Sequence, residues 1–251
     1  MTEELERIHR FEREVELAGT ETVPSRLGLG VLTPELPRRH DSNYLLVERA
    51  RDAAEAIAEA DRILGGAGRS HRVILTFDER LGRRLAPEFA LRGWRTQRHV
   101  FMVQHREPEK TADVSLVKEV EESALRPGRT RAITSFEWGA ADLAKELLDA
   151  KLLVAERAET RFFGVEAEGE IVAWTDLYVA QGIGQIEDVA TVEEHRGKGY
   201  ATAVVLRAVE EARRAGADVV FLVADDQDWP KELYGRLGFD AIGRQYKFIR
   251  P

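Results

Sequence analysis

The 251-residue chain contains no cysteine. That excludes disulfides, thiolate metal sites and a cysteine acyl-enzyme intermediate. The six histidines show no metal-ligand spacing, so no metal site is expected. No apolar run is long enough to cross a bilayer. The opening residues, Met1-Thr2-Glu3-Glu4-Leu5-Glu6, lack the apolar core of a signal peptide, so a cytoplasmic protein is the expectation. Basic charge is also short: the formal net charge is −8, which argues against a nucleic-acid partner. What remains is 43% hydrophobic and 33% charged, the composition of a globular chain with a real core.

The chemistry-bearing stretch runs from Asp188 to Ala212. A β-prone run ends at Val192, a charged turn follows, and then comes Arg196-Gly197-Lys198-Gly199-Tyr200-Ala201. Apolar residues at Ala201, Val204, Val205, Ala208, Val209 and Ala212 then keep the three-and-four step of one buried helix face. A strand, a glycine turn and a helix aim free backbone N–H groups and the positive end of the helix dipole at one point. That arrangement cradles a phosphate or pyrophosphate. The nucleotide P-loop pattern is absent, because Lys198 lies between two glycines and Tyr200 follows Gly199. The dinucleotide fingerprint is incomplete, because Thr202 stands where its third glycine would be.

The alternation of patterns gives an α/β chain. Helices are expected over 3–17, 53–64, 80–91, 140–158 and 230–237. Strands are expected over 43–48, 73–77, 95–104, 113–120, 161–167, 171–180, 185–192, 218–224 and 240–249. Residues 19–41 read as loops with at most one strand, and 126–138, with Pro127-Gly128, as loop-rich. Glu168-Gly169-Glu170 signals a hairpin. The polar, proline-containing Glu107-Pro108-Glu109-Lys110 marks a boundary, dividing the chain into 1–106 and 107–251. Asp225, Asp226 and Asp228 read as loop residues favouring the next helix N-terminus.

Arg196-Gly197-Lys198-Gly199-Tyr200-Ala201 resembles the Arg/Gln-x-x-Gly-x-Gly/Ala signature of the GNAT superfamily of acyl-CoA-dependent N-acyltransferases. The later Leu233-Tyr234-Gly235-Arg236-Leu237-Gly238-Phe239 resembles that family's Leu-Tyr-x-x-Leu-Gly-Phe ending. The element order of 112–251 matches the family's throughout. The first half echoes the plan: Phe89-Ala90-Leu91-Arg92-Gly93-Trp94 sets Phe89 opposite Tyr234 and Trp94 opposite Phe239. Two tandem GNAT-like lobes of mixed α/β sheet are therefore expected, the first degenerate and lacking its cofactor loop. A single lobe with an unrelated N-terminal extension is the rival reading.

The resemblance implies direct acetyl transfer from acetyl-CoA, as acyl-donor substrate, to a primary amine of a small molecule or protein. It places the cofactor on Val189, Ala190, Thr191, Arg196, Gly197, Lys198, Gly199, Tyr200 and Ala201. Gln227 stands where the family often has a cofactor-touching Asn, and Glu193 where it often has Pro. Tyr234 falls in the family's thiolate-protonating position. Glu187, on the fourth strand, is the candidate acceptor of the amine proton. Asp188 and Glu187 also read as strand carboxylates paired with an arginine. Phe136, Trp138 and Trp174 are candidates for the acceptor pocket, with core packing as their other reading. A monomer or homodimer without membrane contact is expected. The alternative function is a non-catalytic acyl-CoA-binding or regulatory module.

Overall fold

The computed structural model describes residues 2–136 and 139–250. The chain forms two compact units that interleave along the sequence. An N-terminal unit comprises Glu12–Phe101, Ala224–Asp228 and Ile242–Pro251, and a C-terminal unit comprises Met1–Phe11, Met102–Val223 and Trp229–Ala241. Neither unit is one consecutive stretch, because most of the last strand pairs inside the N-terminal one.

In the N-terminal unit the strands are β1 (Glu21–Ser25), β2 (Gly28–Leu32), β3 (Tyr44–Val47), β4 (Arg72–Thr76), β5 (Arg95–Gln104) and β11 (Phe239–Arg250), in the order β1-β2-β3-β4-β11-β5. β1 and β2 form an antiparallel hairpin where the sequence suggested loops and at most one strand. Pro24 weakened the sequence signal, yet it sits in an edge strand, where a missing ladder donor costs little. β11 runs antiparallel to β4, with Phe248 opposite Ile74. Helix α2 (Ala53–Ala60) starts at Asp52, whose carboxylate accepts from the Glu55 N–H. Helix α3 (Glu79–Leu91) starts at Asp78, which accepts from the Arg80 and Leu81 N–H groups. Each cap satisfies donors that the first turn leaves over. The helices bury Ala56, Ala60, Leu81, Leu85 and Phe89 against Leu45, Ile74 and Phe248. The Phe89 ring stacks on Phe248 at 4.0 Å and meets Trp94 edge-on at 5.1 Å.

The C-terminal unit contains β6 (Val117–Val120), α4 (Glu122–Thr134), α5 (Ala141–Leu152), β7 (Glu159–Ala167), β8 (Glu170–Ala180), β9 (Ile183–Thr191), α6 (Tyr200–Arg214), β10 (Val219–Asp225) and α7 (Pro230–Arg236). Its strands lie in the order β10-β9-β8-β7-β6. The first part of α1 (Glu3–Glu16) belongs here too, with Phe11 edge-on to Phe221 at 5.8 Å. The β7–β8 turn falls on Glu168 and Gly169, both at positive φ, as the hairpin signal required. β9 and β10 are parallel, and α6 makes the crossover that parallel strands need.

Helix α4 corrects the loop expected over 126–138: it continues through Pro127 and Gly128. Proline costs one backbone hydrogen bond, but the turn is held by packing. A Cβ on Gly128 would lie 3.0 Å from the buried Trp174 ring, so a larger residue there would have to push the ring aside. The next helix ends at Leu152, with a 3-10 turn over Leu153–Glu156, rather than reaching Ala158.

Candidate active site

Pairing between β9 and β10 runs from Ile183↔Val219 to Ile186↔Leu222 and goes no further. Beyond it the β8–β9 ladder changes register: Asp176 faces Glu187, but Trp174 faces Ala190. Thr175 is therefore opposed by both Asp188 and Val189, a bulge with one extra residue on β9. Asp188 has φ 55, a left-handed conformation that a non-glycine residue holds only when its surroundings fix it. The bulge turns β9 off its parallel neighbour. Val189, Ala190 and Thr191 then run on as half-buried strand with one edge outside the β10 ladder.

The bulge is fixed by a charge cluster. Arg129, from α4, is 2% exposed and bonds Asp176, which is fully buried. Its Nε lies 2.9 Å from Asp188 Oδ2, an ion pair without hydrogen-bond alignment. Lys151, from α5, lies 3.1 Å from Asp176 and 3.3 Å from Asp188. The Tyr178 hydroxyl donates to Asp176 Oδ2 at 3.2 Å, and the Arg129 guanidinium lies over the Phe162 ring. Burial raises the Asp176 pKa against the pull of Lys151 and Arg129. Burial works against the Lys151 charge as well, yet Tyr178, Asp176 and Asp188 hold its pKa above the ordinary lysine value. Two cations and two carboxylates close on each other, so Asp188 is a structural partner of Arg129. Arg129, Lys151, Asp176 and Tyr178 were not singled out from sequence; they come from three elements, α4, α5 and β8, far apart in the chain.

After Thr191 the chain makes a short turn, Glu193–His195, and enters Arg196 to Gly199. Gly197 and Gly199 have φ 77 and 82. Nothing lies within 4 Å of the position of a Cβ on either, so these glycines serve backbone conformation and open approach rather than packing. Gly199 is the N-cap of α6 with no side-chain cap, and the first turn of α6 holds no carboxylate. Among the described residues, the N–H groups of Gly197, Lys198, Gly199, Tyr200 and Ala201 donate to no protein acceptor. Five unpaired donors at the positive end of a fifteen-residue helix form an anion cradle. Arg196 is exposed, its Nε 3.4 Å from the Thr191 carbonyl oxygen, and Lys198 Nζ lies 3.2 Å from His195 Nδ1.

Tyr234 is in α7, 8% exposed, with its ring edge-on to Phe239 at 6.3 Å. Burial, and then the Glu187 charge, push its hydroxyl up to about 12. That coupling places Glu187 within electrostatic reach of Tyr234. Glu187 is half-buried, and its Oε2 accepts from Gln185 Nε2 at 3.2 Å. Gln227 belongs to the 224–228 segment of the N-terminal unit, and its N–H donates to Asp225. Of the aromatic candidates, Trp174 is 2% exposed and packs in the core, Phe136 is 54% exposed, and Trp138 lies outside the described residues.

Residues 117–239 match the model of the acetyltransferase (GNAT) family. The uncharacterized N-acetyltransferase YobR of Bacillus subtilis (strain 168) is 32% identical over 90 residues, a stretch that is 36% of this chain and 36% of that protein. A GCN5-related N-acetyltransferase from Kribbella flavida shares the fold over 98% of this chain and 95% of its own, with TM-score 0.64 and 17% identity. A tandem GNAT protein from the clavulanic acid biosynthesis pathway aligns over 88% of this chain and 74% of its own, with TM-score 0.57 and 14% identity. Residues 117–239 thus carry the acetyltransferase (GNAT) family match, and the chain has a mixed α/β fold shared over most of its length with GNAT neighbours, one of them a tandem GNAT protein. Acyl transfer is the chemistry of that family. Among the described residues no helix is long and apolar enough to cross a membrane, and no cluster of metal-ligating side chains occurs.

Proposed function

We propose that this protein moves an acetyl group directly from acetyl-CoA to a primary amine of a small molecule or protein, in the cytoplasm. The carrying observation is the unpaired N–H row at 197–201, which follows directly on the strand edge that leaves the β10 ladder. The row fits the pyrophosphate of CoA. The free edge of Val189, Ala190 and Thr191 fits the amide-bearing pantetheine arm and the thioester carbonyl. Arg196 and Lys198 add positive charge at the mouth of the turn. No role in this site is proposed for Gln227.

In the reaction the neutral amine nitrogen attacks the thioester carbon, and a β9 N–H stabilises the oxyanion as it forms. The C–S bond breaks, and the Tyr234 hydroxyl protonates the leaving thiolate. Glu187 takes the proton lost by the amine, directly or through water. The products are an amide and free CoA. The high pKa of Tyr234 keeps it protonated at neutral pH, as an acid must be. Residues 107–251 are the complete acetyltransferase domain in this reading. Residues 1–106 are a lobe without a cofactor loop: between β3 and α2 stand Glu48-Arg49-Ala50-Arg51-Asp52, with no glycine. The test is an amine panel under saturating acetyl-CoA, followed by free-thiol release. Acceptor-dependent CoA release is expected. Tight CoA binding without release for any amine would leave a non-catalytic acyl-CoA-binding module.

A further inference from the structure

The N-terminal unit contains a cavity of about 330 Å³ lined by Glu79, Arg83, Arg98, Asp226, Arg244 and Tyr246. Four segments meet there: the first turns of α3, strand β5, the 224–228 loop and strand β11. Three guanidinium groups face two carboxylates, an excess of one positive charge, in a chain whose net charge is −8. Asp226, read from sequence as a loop residue favouring the next helix N-terminus, is buried here. It is 5% exposed, with Arg98 Nε at 2.5 Å and Arg244 Nε at 2.8 Å from the same Oδ2. One buried carboxylate thus holds two guanidiniums side by side. Glu79 binds Arg83 and lies 4.0 Å from Arg244 Nη1, beyond hydrogen-bond reach. Among the described residues, the Arg244 Nη groups make no hydrogen bond, and their side chain is 34% exposed. Tyr246 is 5% exposed and interacts with both Arg83 and Arg98.

The energetics of this arrangement ask for an anion. Like charges held together are costly in a partly desolvated cavity. A planar guanidinium edge with two unused Nη groups matches two oxygens of one carboxylate or phosphate. The cavity exceeds the space a lone oxyanion needs and lies at the small end of organic-ligand pockets. We propose that this cavity binds a small molecule through a carboxylate or phosphate group, held by Arg244, Arg83 and Arg98 with Tyr246 beside them. The N-terminal unit, lacking a glycine turn, then carries a ligand site of a different chemistry from the cradle at 197–201, and this assignment does not depend on acyl transfer.

The experiment is calorimetric titration of the full chain with citrate and, separately, with inorganic phosphate. Saturable binding of at least one is expected, and the stronger one identifies the recognised group. A lost charged hydrogen bond is worth about 1.5–3 kcal/mol, so Arg244→Gln should weaken binding about tenfold or more. Arg83→Gln, at a largely exposed position, should weaken it in the same direction and serves if Arg244→Gln fails to fold. Absence of saturable binding of either anion overturns the proposal. So does binding that the two cavity variants leave unchanged.

Discussion

Arg129 and Asp188 stand 2.9 Å apart, and through them helix α4 grips the residue of β9 that adopts φ 55. A helix on one side of the sheet thereby fixes the bulge at which the parallel ladder ends. Removing one partner of a buried ion pair costs about 3–5 kcal/mol, because the other charge is left uncompensated. Arg129→Gln exposes the carboxylates of Asp176 and Asp188 to each other and should cost that much in urea unfolding. Asp188→Asn should cost far less, about 1 kcal/mol. Asparagine tolerates left-handed φ, and Asp176 still neutralises Arg129. Equal losses in the two variants would show that Asp176 alone does not neutralise Arg129 and that the Asp188 charge is required.

Gly199 makes the most direct claim on the cofactor. With φ 82 and open space around it, a valine there meets both backbone strain and the path of the incoming phosphate. Calorimetry should show one CoA per wild-type chain and none for Gly199→Val, with the circular dichroism spectrum retained. Two CoA per wild-type chain would mean that the N-terminal unit holds a cofactor as well.

Tyr234→Phe removes one oxygen from a packed ring, so CoA binding should survive. General acid catalysis is worth roughly a hundred- to ten-thousand-fold, and kcat should fall by at least the lower figure. The pH profile carries a second signature. Because the hydroxyl is raised to about 12, kcat should show no descending limb at the unperturbed tyrosine value of about 10. Steady-state rates within a few-fold of wild type for Tyr234→Phe would leave the thiolate to solvent.

His71 sets an acid limit on the N-terminal unit. It is 2% exposed, its ring lies 4.1 Å from that of His40, and Nε2 faces the Asn43 carbonyl oxygen at 3.3 Å. Burial, then the neighbouring His40 charge, lowers its pKa to about 4. The unfolded chain protonates first, near the ordinary value of about 6.5. Stability is therefore full above that value and declines as pH falls from there to about 4, by on the order of 2 kcal/mol. Denaturant unfolding across this window should show the decline in wild type and a flatter response in His71→Gln. A response of unchanged slope would assign the acid sensitivity to other groups.

Local patterns in the sequence announced whatever depends on local geometry. Gly197 and Gly199 were readable because a turn into a helix N-terminus demands positive φ. The face of α6 was readable because burial repeats with the helical period. The echo between halves also took structural form: Phe89 meets Trp94 at an interplanar angle of 61°, and Tyr234 meets Phe239 at 62°, each pair five residues apart and astride a glycine. What stayed hidden depends on distant partners. Arg129 and Asp176 are 47 residues apart, and a charged residue in a helix ordinarily marks a solvated face. The α4 helix was masked by Pro127-Gly128, whose local preference yields to packing against Trp174. Asp226 looked like one of several loop acids until Arg98 and Arg244 met it.

Strand β11 lies between β4 and β5, although it follows all the other described strands in sequence. During synthesis, residues 12–101 emerge from the ribosome with a vacant row in the middle of their sheet. Chains usually fold their N-terminal domain first. Here the unit that begins with 12–101 stays incomplete until residues 242–250 are released, so a stop codon before 242 would leave its sheet without the strand between β4 and β5.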